Sequence, residues 1–108
     1  MDEEPGGKLN EKIVVRVDTE LQSIVPGFLK NRQKDLISMC EALKRADFQR
    51  IGLLGHSMKG SGGGYGFDAI TEIGEALERA ANEQNSGEIQ KQIECLSTYL
   101  ERIEVVYV

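Results

Sequence analysis

Histidine, cysteine and net positive charge are all scarce in this chain of 108 residues, and each shortage excludes a class of function. One histidine and two cysteines in separate predicted helices cannot supply the four ligands of a structural zinc site. Two cysteines in a chain without an export signal read as reduced thiols. Cys40 and Cys95 fall at apolar-face positions of predicted helices, where a buried thiol acts as a small hydrophobe. The net charge of −5 argues against a nucleic-acid or anionic-membrane surface, which needs a basic patch. Uninterrupted apolar runs stop at three or four residues, against the roughly 20 that span a bilayer. There is no basic start followed by an apolar stretch, the mark of a secretory signal. These absences predict a cytoplasmic protein that binds neither nucleic acid nor membrane. Neither G-x-x-x-x-G-K-[ST] nor G-x-G-x-x-G can be placed between Gly52 and Gly66, and no predicted strand precedes those glycines, which excludes a phosphate-cradling nucleotide loop. With no internal repeat or linker, the length fits one domain with one core.

What is present centres on the sole histidine, His56, inside the run Gly55-His56-Ser57-Met58-Lys59-Gly60-Ser61-Gly62-Gly63-Gly64-Tyr65-Gly66. Each glycine inside a helix costs about 1 kcal/mol relative to alanine, so this density around one imidazole calls for a cause. At about 100° per residue, Ile51, Leu54, Met58, Gly62 and Tyr65 fall on one side of a helix. His56, Lys59, Gly60 and Gly63 fall on the other. A core histidine shares a face with apolar residues, and this one opposes them. The ring is therefore expected to face solvent on a platform bare enough for another protein to approach.

The remaining pattern is helical. Residues 1–12 read as a disordered polar lead-in, and 13–108 as the folded domain. Ile13–Val17 is β-branched and extended. Asp18 or Thr19 caps a short N-terminal helix, with Thr19 and Gln22 matching a capping box, and Pro26 interrupts it. A long helix follows from about Pro26 to Ala46, with Phe28, Leu29, Leu36, Met39, Cys40 and Leu43 as its buried stripe. Asp47 caps the histidine helix, and Gly66 suits the left-handed residue that closes it. Phe67, Ile70, Ile73, Gly74, Leu77, Ala80 and Ala81 form one face of the next helix. Asn85-Ser86-Gly87 stops it and caps the last, which carries Ile89, Ile93, Leu96, Leu100 and Ile103. Short connections between long amphipathic helices predict an all-α, antiparallel up-down-up-down four-helix bundle. Ile13–Val17 and Val105–Val108 would then lie at one end, either paired as a small two-stranded ribbon or frayed as tails; the sequence leaves both open.

The motif H-x-x-K-G, the small-residue stretch after it, Gly66-Phe67, and Leu77-Glu78 on an apolar helix together resemble the histidine-containing phosphotransfer (HPt) domain of bacterial phosphorelays. The resemblance extends upstream through Val17-Asp18, Pro26-Gly27-Phe28-Leu29 and Asn31-Arg32, and downstream through Tyr99-Leu100. It implies a phosphorelay intermediate. His56 would accept a phosphoryl group from the aspartate of a receiver domain and pass it to another receiver. Lys59, one turn along, would set an ammonium against the phosphoryl oxygens. Gly60, Gly63 and Arg32 are the candidate docking residues.

The partners implied are a response-regulator receiver domain, a hybrid sensor histidine kinase, or both, with Mg²⁺ supplied by the receiver and no cofactor held by this chain. Without a nucleotide-binding part the chain would be a monomeric phosphocarrier rather than an enzyme. A further polar side chain beside the imidazole is expected, and Asn31 and Arg32 are its candidates. Two other readings compete: a non-catalytic helical adaptor that binds a partner helix through the glycine-rich face, and a histidine kinase dimerisation domain.

Overall fold

Local chemistry sets most of the element boundaries. The computed structural model describes residues 11–108, so the lead-in expected over 1–12 lies almost wholly outside the described residues. The β-branched run Ile13–Val17 is strand β1. Asp18 then caps a single 3-10 turn, Thr19–Leu21, by accepting from the Glu20 N–H at 2.9 Å. The short N-terminal helix is reduced to this turn. One more turn follows, closed by the Ile24 N–H donating to the Leu21 carbonyl at 3.0 Å, and the ring of Pro26 then suits the first positions of a new helix. Helix α1 (Val25–Lys44) begins there. Helix α2 (Phe48–Ser61) is capped by Asp47, which accepts from the Arg50 N–H at 3.1 Å. A 3-10 turn, Gly63–Tyr65, and left-handed Gly66 at φ 91° lead into α3 (Asp68–Asn82). Asn85 accepts from the Glu88 N–H at 3.1 Å to start α4 (Ser86–Arg102), which runs directly into β2 (Ile103–Tyr107).

The two strands pair, so the ribbon alternative is the one realised. They run parallel, with Ile13 opposite Ile103 and Val17 opposite Tyr107. Beyond the ladder, the Thr19 N–H donates to the Val108 carbonyl at 3.0 Å. Alternation turns Ile13, Val15, Val17, Ile103, Val105 and Tyr107 toward the core and leaves Val14 and Val106 exposed. The described residues thus form four α-helices and a two-stranded parallel sheet around one core. Fully buried Met39, Ile51, Met58, Phe67, Ile70, Leu77, Ile89 and Leu96 are its largest side chains.

Two packing expectations need correction. Cys40 and Cys95 are exposed free thiols. Each follows or precedes a buried residue, Met39 or Leu96, and one residue is about 100° of helix rotation, enough to leave the core. On α1 the buried line is Val25, Phe28, Met39 and Ala42, with Leu29, Leu36 and Leu43 half-buried at its margin.

The α2–α3 interface explains several glycines. A Cβ on Gly55 would lie 2.8 Å from the Gly74 carbonyl oxygen, and one on Gly74 would lie 2.5 Å from the Lys59 nitrogen. A Cβ on Gly62 would lie 2.7 Å from the Thr71 nitrogen, while one on Gly52 would meet Ala81 at 3.6 Å. Ascending positions on α2 meet descending positions on α3, so these two helices run in opposite directions with their backbones in contact. Gly62 is therefore required by packing. Among the described residues, no helix is long and apolar enough to cross a membrane.

Candidate functional site

The close approach of α2 and α3 brings a carboxylate to the histidine. Gly55 faces Gly74, Leu77 and the Glu78 backbone, where its missing Cβ would come within 2.9 Å of the Glu78 nitrogen. His56 is the next residue along α2. Its imidazole stays open to solvent, with 68% of the side chain exposed, while Nδ1 lies 2.9 Å from Glu78 Oε2. Lys59 stands one turn further on the same side and donates from Nζ to Glu78 Oε1 at 3.3 Å. One carboxylate thus joins imidazole and ammonium.

This pairing fixes the tautomer. An ionised carboxylate only accepts hydrogen bonds, so in the neutral ring Nδ1 carries the proton and donates it to Glu78. The Nε2 lone pair is then free and points away from the backbone. The hydrogen bond with His56 is the main cause holding the Glu78 carboxyl below its ordinary range, with Lys59 adding to it and partial desolvation opposing. Glu78 stays ionised, as the tautomer requires. Sequence reasoning matched Glu78 to the HPt pattern without giving it this contact. The available signal was an acidic residue beside core-facing Leu77 on a helix that touches α2 through glycines.

The candidates Asn31 and Arg32 do not reach the imidazole in any hydrogen bond of the structure. Arg32 donates from Nε to Asp35 Oδ2 at 2.8 Å and from Nη1 to Ser61 Oγ at 3.4 Å, and its guanidinium lies 4.8 Å from the centre of the Phe28 ring. Burial pushes the Asp35 carboxyl up, and Arg32 and then Arg50 oppose that shift. Arg32 and Asn31 line a groove between α1 and α2 together with Phe28, Ser57, Ser61 and Tyr65. Tyr65 stacks on Phe28 with ring centroids 4.4 Å apart, which anchors the turn after α2 against α1.

Of the two docking glycines, Gly60 lies on the exposed face of α2, and a Cβ there would meet nothing within 4 Å. The α-helix ends at Ser61, so Gly63 belongs to the following 3-10 turn, where it is exposed and a Cβ would meet Thr71 Oγ1 at 3.5 Å and Asp68 Oδ1 at 3.6 Å.

No curated protein and no solved structure matches the chain significantly. The Hpt domain family does match, over residues 23–105, which takes in all four helices, the His56–Lys59–Glu78 cluster and the start of β2. A family match over most of the chain, together with an exposed histidine on a glycine-packed helix pair, places this protein: it belongs to the Hpt domain family.

Proposed function

We propose that His56 is the phosphoacceptor of this Hpt domain and that the chain relays a phosphoryl group from one receiver-domain aspartate to another. Hpt domains are phosphocarrier modules of two-component phosphorelays with no kinase domain of their own. The observation that carries the assignment to His56 is its hydrogen bond to Glu78, which leaves Nε2 as an exposed nucleophile. In the forward step the Nε2 lone pair attacks the phosphorus of the aspartyl phosphate. The N–P bond forms as the P–O bond to aspartate breaks, and the bonding electrons leave with the carboxylate. The ring, still protonated at Nδ1, gains positive charge that Glu78 faces directly. Lys59 sets its ammonium against the phosphoryl oxygens.

Residues 13–108 are taken as the Hpt domain and its helices as an up-down-up-down bundle. The protein acts as a cytoplasmic monomer without its own cofactor. We assign the Mg²⁺ of the reaction to the receiver. A response-regulator receiver and a hybrid sensor kinase are the partners, approaching across Gly60.

The test is incubation with a phosphorylated receiver domain. The wild type should gain acid-labile, alkali-stable label, and His56→Gln should gain none while its melting temperature stays within a few degrees, because an exposed ring contributes little packing. Label on His56→Gln would refute the assignment.

A further inference from the structure

A side chain from α3 interrupts the backbone ladder of α2 at the residue that supplies the site's cation. A continuous α-helix would bond the Gly63 N–H to the Lys59 carbonyl one turn back. Here the Gly63 N–H donates to Thr71 Oγ1 at 2.7 Å, and the Thr71 hydroxyl donates to the Lys59 carbonyl at 3.3 Å. The preceding bond, from the Gly62 N–H to the Met58 carbonyl, is intact at 3.0 Å. The hydroxyl therefore enters at the turn that starts on Lys59. Side-chain insertion of this kind breaks or bends a helix, and the chain leaves α2 after Ser61 for the 3-10 turn. Gly62 makes room, since a Cβ there would lie 2.8 Å from Thr71 Oγ1.

We propose that Thr71 is a positioning residue of the phosphoacceptor site, acting through Lys59. Helix ends fray, and their last carbonyls and first free N–H groups need partners. Thr71 supplies both from α3, the helix that also carries Glu78. Lys59 is thereby held at its carbonyl by Thr71 and at its ammonium by Glu78, so that α3 fixes both ends of the residue that faces the phosphoryl group. This inference rests on the phosphocarrier reading above.

The experiment is a double-mutant cycle on the full chain, with single-turnover transfer from a phosphorylated receiver domain as the readout. Thr71→Val, which removes the hydroxyl and keeps the shape, should slow transfer by about three- to tenfold. Thr71→Ser, which keeps the hydroxyl, should stay within about twofold of wild type. In the Lys59→Ala background, itself slowed by about tenfold or more, Thr71→Val should add nothing, as expected of two residues acting as one unit. Wild-type speed in Thr71→Val would overturn the proposal, as would an equal slowing in both backgrounds or a Thr71→Ser as slow as the valine variant. Hydrogen exchange of the wild type covers the case of a valine variant that does not fold. The Gly63 amide should be protected like the α2 amides before it, and rapid exchange there would overturn the latch. Label on the His56→Gln control would defeat the phosphoacceptor reading alone and leave the exchange result standing.

Discussion

Glu78 is the residue whose chemistry decides how His56 behaves. Glu78→Gln keeps the size, but an amide can donate as well as accept, so it no longer dictates which ring nitrogen holds the proton. The variant should show a mixed tautomer population by ¹⁵N NMR and transfer slowed by about tenfold, the size of one charged hydrogen bond; an unchanged ring spectrum would remove Glu78 from the site. The sign of the pH effect follows from its lowered pKa. The pairing contributes above the ordinary glutamate value of 4.5 and is lost as pH falls through the lower value of the folded state. Direct NMR titration of the Glu78 carboxyl should therefore find it below the unfolded chain's glutamates. That His56 and Lys59 share one side of α2 was legible, because spacing within one helix sets it. The contact with Glu78 was not, since it joins residues 22 apart and depends on how closely two helices approach.

At the scale of elements, the glycines divide into two kinds that sequence alone merges. Gly55, Gly62 and Gly74 sit where backbones touch, while Gly60 and Gly64 meet nothing within 4 Å. Gly55→Ala should destabilise the fold by about 1–3 kcal/mol, because the methyl group meets the Gly74 carbonyl and helices this close cannot give locally. Gly60→Ala should be neutral or stabilise by up to about 1 kcal/mol through helix propensity. Urea melts of the two variants check the contrast, and equal effects would mean that the α2–α3 approach is looser than described. The caps Asp47 and Asn85 and left-handed Gly66 could be read directly, since each works through its own backbone neighbours. The end of α2 could not, because the hydroxyl that breaks its ladder comes from another helix.

For the whole molecule, the question is what reaches the imidazole. Gly60, one turn from His56 on the exposed face, is the bare ground beside it. Gly60→Gln should leave labelling of His56 by a small donor such as phosphoramidate within about twofold of wild type, while transfer from a phosphorylated receiver falls by tenfold or more, as steric exclusion of a large partner requires. Equal loss with both donors would place the damage in the site itself. The four long helices were legible from periodicity, and their short connections placed the two ends near each other, while whether those ends pair was left open. The strand direction was not legible; parallel pairing needs a long crossover, and here all four helices serve as one.

That parallel ribbon also has a mechanical consequence. Tension applied between the two ends of the domain would pull β1 from its start at Ile13 and β2 from its far end at Tyr107. With Ile13 beside Ile103 and Val17 beside Tyr107, the load falls along the strands in shear, and the ladder's hydrogen bonds share it instead of opening one by one. The ribbon thus acts as a clamp that shields α2 and α3, and the site between them, from forces on the flanking chain.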